Sequence, residues 1–268
     1  MAKNTLPCIF CPNPRTNKRG EHLWDDWLNR IGGKEIRDPS TTYYYGLAGK
    51  LIREHPSIRI DVTVDVVCDE CNHTWMSDLT TRTKDLLEPV IRYDRPQDFN
   101  RGDIVTITSF AFMKSAVLDW NGSSSTRKPC ISRTACLAFR NSLMSSTSRG
   151  DVALPGGLQV WIARYRRARR MEAQAFSEEM KGTRQFKGYR ILVITYIAGS
   201  FIFQLTYPRW VKPTRKRTTA PFFQIFRDVL SVPIWPGVDF AYWPPLGHID
   251  GRTLNDFRER FRRVRVLS

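Results

Sequence analysis

Two short stretches, Cys8-Ile-Phe-Cys11 and Cys68-Asp-Glu-Cys71, decide how the first part of this chain folds. Each stretch places two residues between its cysteines, so one turn can direct both sulfur atoms at a single metal ion. Two such stretches complete a tetrahedral set of four sulfurs, which suits Zn²⁺. A site closed by four cysteines has no open position for a substrate. We therefore predict a structural zinc site that helps to fold the front of the chain, in preference to two separate redox motifs.

The remaining cysteines and the apolar runs bear on the compartment. Cys130 and Cys136 are spaced differently from the two pairs, and we expect ordinary half-buried thiols there. The N-terminal residues lack the apolar segment of a signal peptide. The longest apolar run, 191–207, is interrupted by Gly199-Ser200 and is rich in residues that favour strands, so we predict two paired strands rather than a membrane helix. A cytoplasmic protein without disulfides is therefore expected.

Positive charge is concentrated in the second part of the chain. The sequence carries 42 Lys and Arg against 26 Asp and Glu, a formal net charge of +16. Residues 1–100 hold 14 basic and 15 acidic residues, whereas residues 101–268 hold 28 basic and 11 acidic residues. The 41% content of apolar residues excludes a mostly disordered or fibrous chain. We predict a near-neutral unit at 1–95 and a basic unit at 96–268 that binds a polyanion.

Two polar pairs lie close to the cysteines along the chain. Glu21-His22 begins ten residues after Cys11, and Asn72-His73 directly follows Cys71. If one zinc ion joins the two cysteine pairs, these segments come together beside it. Carboxylate and amide oxygens can hold a hard divalent ion such as Mg²⁺ or Mn²⁺, and an imidazole can take a proton from water. This combination indicates metal-assisted hydrolysis of a phosphodiester bond.

The same residues resemble the zinc-binding branch of the HNH endonuclease family. The resemblance covers roughly residues 5–90 and includes Trp27, Trp75 and Leu79 besides the cysteines and polar pairs. It implies a treble-clef, or ββα-metal, finger. It implies that His22 is the general base, that Glu21 and Asn72 ligate the catalytic divalent ion, and that His73 is a further candidate ligand.

The sequence departs from the family pattern between the two cysteine pairs. Similar sequences carry an asparagine shortly before the second pair, and here Asp61 and Asp65 are the candidates to orient His22 instead. The neighbouring residues Asp25 and Asp26 could supply another metal ligand, but a solvated turn is the preferred expectation for them. These departures leave two functions open: an active endonuclease, and a catalytically degenerate finger in a nucleic-acid-binding protein or a subunit of a nucleoprotein complex.

The rest of the chain predicts an α+β domain with an antiparallel sheet. His55-Pro56 and His248 are expected in loops. The expected helices cover a segment after Trp75 that ends at Glu88-Pro89, then 107–120, 132–143 and 253–266. The expected strands cover 157–164, 171–176, 191–198 and 201–207.

Clustered arginine and lysine residues in this domain indicate a partner rich in phosphate. Like charges placed close together repel one another, and phosphates relieve that repulsion with an affinity that falls as salt rises. We expect DNA rather than RNA, and no membrane, although a basic amphipathic helix could also lie on anionic lipid. The predicted contacts are Arg164, Arg166, Arg167, Arg169, Arg170, Lys212, Arg215, Lys216, Arg217, Arg262 and Arg263.

Overall fold

The structure is a computed structural model that describes part of the 268-residue chain. The described residues are 6–15, 20–22, 25–31, 40–45, 51–57, 63–121, 128–147, 151–166, 171–179, 189–210, 231–250 and 253–254.

Helices and strands of the described residues form an α+β fold in which every sheet is antiparallel. The helices are α1 (Asp26–Ile31), α2 (Asp69–Cys71), α3 (Ser77–Tyr93), α4 (Arg101–Asn121) and α5 (Arg133–Ser145), with a π-helical segment at Asn72–Met76 between α2 and α3. The strands are β1 (Glu21–His22), β2 (Ser40–Tyr45), β3 (Leu51–Ser57), β4 (Thr63–Val64), β5 (Gln97–Asn100), β6 (Gln159–Arg164), β7 (Met171–Glu179), β8 (Tyr189–Ala198), β9 (Phe201–Trp210), β10 (Ser231–Trp235) and β11 (Phe240–Trp243).

Helix α4 runs through the centre of the core. Its side chains from Ile104 to Asp119 are all buried, so it is enclosed on every side rather than along one face. On one side the ring of Phe112 packs edge-on against Phe139 of α5, with centroids 4.9 Å apart. On another side Phe110 packs against Phe203 of β9 at 6.5 Å. The helix therefore joins the sheet to the helices and to the cysteine-rich segment.

The main sheet has five strands in the order β10-β6-β9-β8-β7. Its centre is the predicted hairpin, with Ala198 paired to Phe201 and Tyr189 paired to Trp210. Gly199 has a φ of +59° in the turn, a conformation that glycine adopts without steric cost. The strands predicted near 157–164 and 171–176 are also confirmed as β6 and β7. Within the described residues, no helix is both long and apolar enough to cross a bilayer.

Several local predictions are wrong at their boundaries. Helix α3 continues past Pro89 to Tyr93, because the burial of Leu87, Val90 and Ile91 on one face compensates for the hydrogen bond that proline cannot make. It ends at Asp94, whose φ is +50°. Helix α4 begins at Arg101 rather than at 107.

Other local predictions have mixed outcomes. His55-Pro56 lies in strand β3 rather than in a loop, paired with β2 as a hairpin. The helix predicted at 132–143 is confirmed, with the Ser132 side chain accepting a hydrogen bond from the amide of Ala135. His248 lies in a loop as predicted. Most of the predicted terminal helix, from 255 onward, lies outside the described residues.

One buried cluster extends across the predicted boundary between 95 and 96. Trp75 packs against Phe10 at 5.0 Å and against Phe139 of α5 at 6.0 Å. Trp27 and Trp75 are both buried. The division into two units stays a prediction, and the described residues on its two sides share one core.

Candidate metal centre and neighbouring acidic site

The four predicted zinc ligands lie together and are buried. The sulfur atoms of Cys8, Cys11, Cys68 and Cys71 all lie within 4.8 Å of one another. Cys11 Sγ is 3.4 Å from Cys68 Sγ, so the two pairs meet although 57 residues separate them. Zinc–sulfur distances of about 2.3 Å place tetrahedral sulfurs roughly 3.8 Å apart, and the cluster is close to that size. The residues therefore fit a structural zinc ion.

Backbone groups shape each cysteine pair. In the first pair the amide of Phe10 donates to Cys8 Sγ at 3.4 Å. In the second the amide of Cys71 donates to Cys68 Sγ at 3.5 Å. The amide of Ile9 donates to the carbonyl of Val66 at 3.1 Å and ties the two segments together. Such donors stabilise negative charge on sulfur and fix the direction of the ligands.

Electrostatics favour a bound cation at this cluster. Burial raises the pKa of Cys11 to about 11. The pKa of Cys71 is also raised, first by its contact with Cys8 and then by burial, and the same contact lowers the pKa of Cys8 to about 5. Several thiolates at this spacing repel one another in a buried site, so only a cation allows all four to ionise.

Arg133 of α5 attaches the first cysteine pair to the core. Its Nε donates to the carbonyl of Cys8 at 3.0 Å and its Nη2 donates to the carbonyl of Cys11 at 2.7 Å. Both carbonyls belong to predicted zinc ligands, so the guanidinium group fixes the backbone of the first cysteine pair to α5. This residue was not predicted, because one arginine among 42 basic residues carries no local signal.

Glu21 does not lie free to bind a divalent ion. Its Oε1 accepts a hydrogen bond from Lys114 Nζ at 2.8 Å. The same ammonium group donates to Asp25 Oδ1 at 2.8 Å and to the carbonyl of His22 at 3.0 Å. The Lys114 side chain is 1% exposed, so this is a buried cluster of one cation and two carboxyl groups. Asp25 is therefore buried, and the predicted solvated turn is wrong at this position.

The protonation of this cluster follows from its burial and charges. Burial alone lowers the pKa of Lys114, but the carboxylates of Asp25 and Glu21 outweigh it and raise the pKa above its usual range. Burial raises the pKa of Asp25, and the ammonium opposes that effect. Lys114 is therefore charged at neutral pH and supplies the positive charge that the carboxyl groups require.

The other predicted site residues lie on β1 and directly after the second cysteine pair. His22 pairs with Thr63 across the β1–β4 ladder, and its side chain is half-buried. The backbone amide of Asn72 donates to the backbone carbonyl of Cys68 at 3.1 Å. His73 is exposed, with Nε2 3.9 Å from Asp69 Oδ1. Among the residues that the structure describes, the cysteine cluster is the only group of three or more His, Cys, Asp or Glu side chains close enough to hold one ion.

Asp65 is exposed and follows β4 directly. Its carbonyl accepts a hydrogen bond from Arg15 Nη1 at 3.1 Å. A role for Asp65 in orienting His22 stays a prediction, and Asp61 lies outside the described residues.

The predicted basic contacts divide between described and undescribed segments. Arg164 at the end of β6 and Arg166 after it are described. The others lie outside the described residues: Arg167, Arg169, Arg170, Lys212, Arg215, Lys216, Arg217, Arg262 and Arg263. Cys130 and Cys136 are fully buried rather than half-buried, and burial raises the pKa of Cys136.

Lys114 is the site residue that sequence reasoning missed although a signal existed. It is the only charged residue between Asp103 and Asp119, in the middle of an apolar segment. A lysine enclosed in that way needs a buried acidic partner, since an unpaired ammonium in a core is very costly.

Comparisons with known proteins give no relative for this chain: no family model, no curated protein and no solved structure matches it.

Proposed function

We propose that the chain is an endonuclease that hydrolyses phosphodiester bonds in DNA through a zinc-stapled ββα finger of the HNH type. One observation carries this proposal. Strand β1, which bears Glu21-His22, pairs with β4, and β4 leads into the second cysteine pair and the helical segment that begins at Asn72. This strand–strand–helix order, beside four clustered cysteines, is the arrangement that the sequence resemblance implies.

In this proposal His22 is the general base. An imidazole nitrogen takes a proton from water as the water oxygen attacks phosphorus. The bond from phosphorus to the leaving oxygen breaks, and that oxygen takes a proton from solvent. A zinc ion held by Cys8, Cys11, Cys68 and Cys71 would supply structural support only, since all four of its ligands would be protein sulfurs.

The Mg²⁺ or Mn²⁺ ion implied by the resemblance does not fit the site in the described arrangement. Its first expected ligand, Glu21, is bound to Lys114, and burial of that pair makes exchange for a hydrated ion costly.

A second candidate function is a nucleic-acid-binding protein whose finger has lost catalysis. The contact between Lys114 and Glu21 favours this reading, because it places an internal cation where a catalytic ion would bind. Both candidates require nucleic-acid binding, and only the first requires cleavage.

A cleavage assay separates the two candidates. Purified, zinc-loaded protein is incubated with supercoiled, linear and single-stranded DNA, and with RNA, in a panel of divalent ions. The endonuclease predicts nicked or linear products from supercoiled DNA. Tight binding without any product on any substrate would support the degenerate finger and overturn the endonuclease.

A further inference from the structure

A surface groove of about 490 Å³ lies where the end of α3 meets the end of β6. Arg92, Tyr93 and Asp94 line it from the helix, and Arg164, Arg166 and His248 line it from the other side. It holds three guanidinium groups and one carboxylate, and Arg92 also pairs with Glu88 of α3 at 3.0 Å, which leaves an excess of one positive charge. We propose that this groove binds an unpaired strand of nucleic acid, with arginines on the phosphates and Tyr93 against a base.

Backbone hydrogen bonds hold the segment of Arg164 and Arg166 so that both side chains point to the same side. The amide of Tyr165 donates to the carbonyl of Ser200 at 2.7 Å, and the amide of Ile249 donates to the carbonyl of Arg164 at 2.7 Å. The amide of Arg166 donates in turn to the carbonyl of Ile249 at 2.9 Å. In an extended segment, residues two apart face the same side, so Arg164 and Arg166 present their side chains together.

Asp94 reduces the positive charge of the groove and restrains one of its arginines. Arg164 Nη2 donates to Asp94 Oδ2, and the other carboxylate oxygen, Oδ1, is buried without a hydrogen-bond partner among the described residues. A guanidinium group has five N–H donors, so Arg164 can contact a phosphate while it keeps this pairing. The carboxylate therefore weakens strand binding without preventing it.

Tyr93 provides a flat aromatic surface among the arginine residues of the groove. Its side chain is 58% exposed although it is a large aromatic residue. The guanidinium carbons of Arg92 and Arg95 lie over the ring, 5.8 and 5.0 Å from its centroid. Aromatic rings and guanidinium planes are the surfaces on which unpaired bases stack in grooves that bind single strands. Bases of a duplex are stacked on one another and do not offer this contact.

This inference rests on the nucleic-acid-binding part of the proposed function and does not require cleavage. Beyond that function, it proposes where on the protein the nucleic-acid strand binds and that an unpaired strand binds more tightly than a duplex. It also brings in Arg92, Tyr93, Asp94 and His248, none of which was predicted to contact nucleic acid.

The test is fluorescence anisotropy with the zinc-loaded full chain, a labelled single-stranded oligonucleotide and its duplex, without added Mg²⁺ or Mn²⁺. We expect tighter binding of the single strand. Arg166→Ala lowers the slope of log affinity against log salt by about 1, as expected when one phosphate contact is lost. Asp94→Asn, which tolerates the positive φ, increases affinity.

Matched variants separate this groove from general charge effects. Arg82→Ala also removes one positive charge, from α3 at a position outside the groove and ten residues before Arg92. Tyr93→Ala weakens single-strand binding about fivefold or more, and Tyr93→Phe restores it, because stacking needs the ring and not the hydroxyl. Arg166 is preferred to Arg164 for the charge test, because it is exposed and its removal leaves the pairing with Asp94 intact.

Three results would overturn the groove: equal losses for Arg166→Ala and Arg82→Ala, no effect of Tyr93→Ala, or displacement of the strand by vesicles rich in phosphatidylserine that bind more tightly. Failure of the endonuclease has a different signature. If the strand-binding results are as expected but no DNA is cleaved, only the endonuclease proposal is overturned. If DNA is cleaved but Tyr93→Ala and Arg166→Ala bind the single strand as well as the wild type, only the groove proposal is overturned.

Discussion

The ammonium nitrogen of Lys114 lies 2.8 Å from Oε1 of Glu21, with both side chains buried. Lys114 belongs to the central helix α4, whereas Glu21 lies on the short strand β1, whose partner β4 leads into the second cysteine pair. This contact joins the two parts of the core. It also decides whether Glu21 can serve as a metal ligand, so it bears on stability and on function together.

Replacement of Lys114 is expected to cost much of the stability of the fold. Lys114→Met leaves two buried carboxyl groups without their cation, a loss of about 3–5 kcal/mol in the free energy of unfolding. Denaturant titration followed by circular dichroism measures it. The control is Lys84→Met, which removes a partly exposed pairing with Glu88 and is expected to cost less than about 1 kcal/mol. Equal losses of unfolding free energy in the two variants would contradict the assignment of Lys114 to a buried charge cluster.

Neutralisation of both carboxyl groups is expected to restore part of the loss. The triple variant Lys114→Met, Glu21→Gln, Asp25→Asn carries no buried charge at this cluster and should be more stable than Lys114→Met alone. The same denaturant titration compares the two. A triple variant that is no more stable than Lys114→Met would show that the loss comes from packing and not from charge.

Glu21 and Asp25 can be distinguished by their effects on cleavage. Both accept a hydrogen bond from Lys114, so Glu21→Gln and Asp25→Asn are expected to have similar effects on stability. Because Lys114 occupies Glu21, we expect both variants to need the same divalent ion concentration for half the maximal rate of cleavage. A higher requirement in Glu21→Gln alone would show that Glu21 ligates the ion and would contradict this account.

One zinc ion per chain is expected at the cysteine cluster. Cys68→Ser should lose the metal and lower the melting temperature, because metal binding contributes directly to folding. Elemental analysis and a chelator titration measure this. Cys136→Ala is the control, since Cys136 is equally buried but lies outside the cluster. Retention of one zinc ion by Cys68→Ser would contradict the site.

Arg133 is expected to support the metal centre from α5. Arg133→Met removes two hydrogen bonds to the carbonyls of Cys8 and Cys11 and should destabilise the fold by about 1.5–3 kcal/mol and weaken zinc binding. Arg140→Met, on the same helix, is the control, because its Nε is buried without a hydrogen-bond partner among the described residues. A competition titration with a chromogenic chelator measures zinc affinity. Unchanged affinity in Arg133→Met would refute this role.

Sequence patterns predicted those elements that depend only on residues close together along the chain. The cysteine pairs and the hairpin around Gly199-Ser200 depend on spacing or on a turn residue within a short segment. The boundaries of α3 and α4 were missed because tertiary packing extends both helices beyond what the local sequence favours.

The acidic site was the largest departure from expectation. Glu21 and Lys114 are separated by 93 positions, and the identity of a charged partner at that distance depends on the fold and not on local pattern. Spacing could bring Glu21 near the cysteines, but it could not show that a lysine of the core occupies the position expected for a metal ion. Nor could it bring Asp94 and Arg164 together, because they meet only when α3 docks beside the end of β6.

The most direct test of the proposed endonuclease compares cleavage of supercoiled plasmid by the wild type and by His22→Ala, with Mg²⁺ or Mn²⁺ present. Thr63→Ala, at the position paired with His22 on β4, is the matched control. Loss of a general base predicts that the rate for His22→Ala falls by about 10²–10⁴-fold, with zinc content and DNA affinity unchanged, while Thr63→Ala cuts nearly as well as the wild type. A wild type that cuts no substrate, or a His22→Ala variant that cuts at the wild-type rate, would contradict the proposed function.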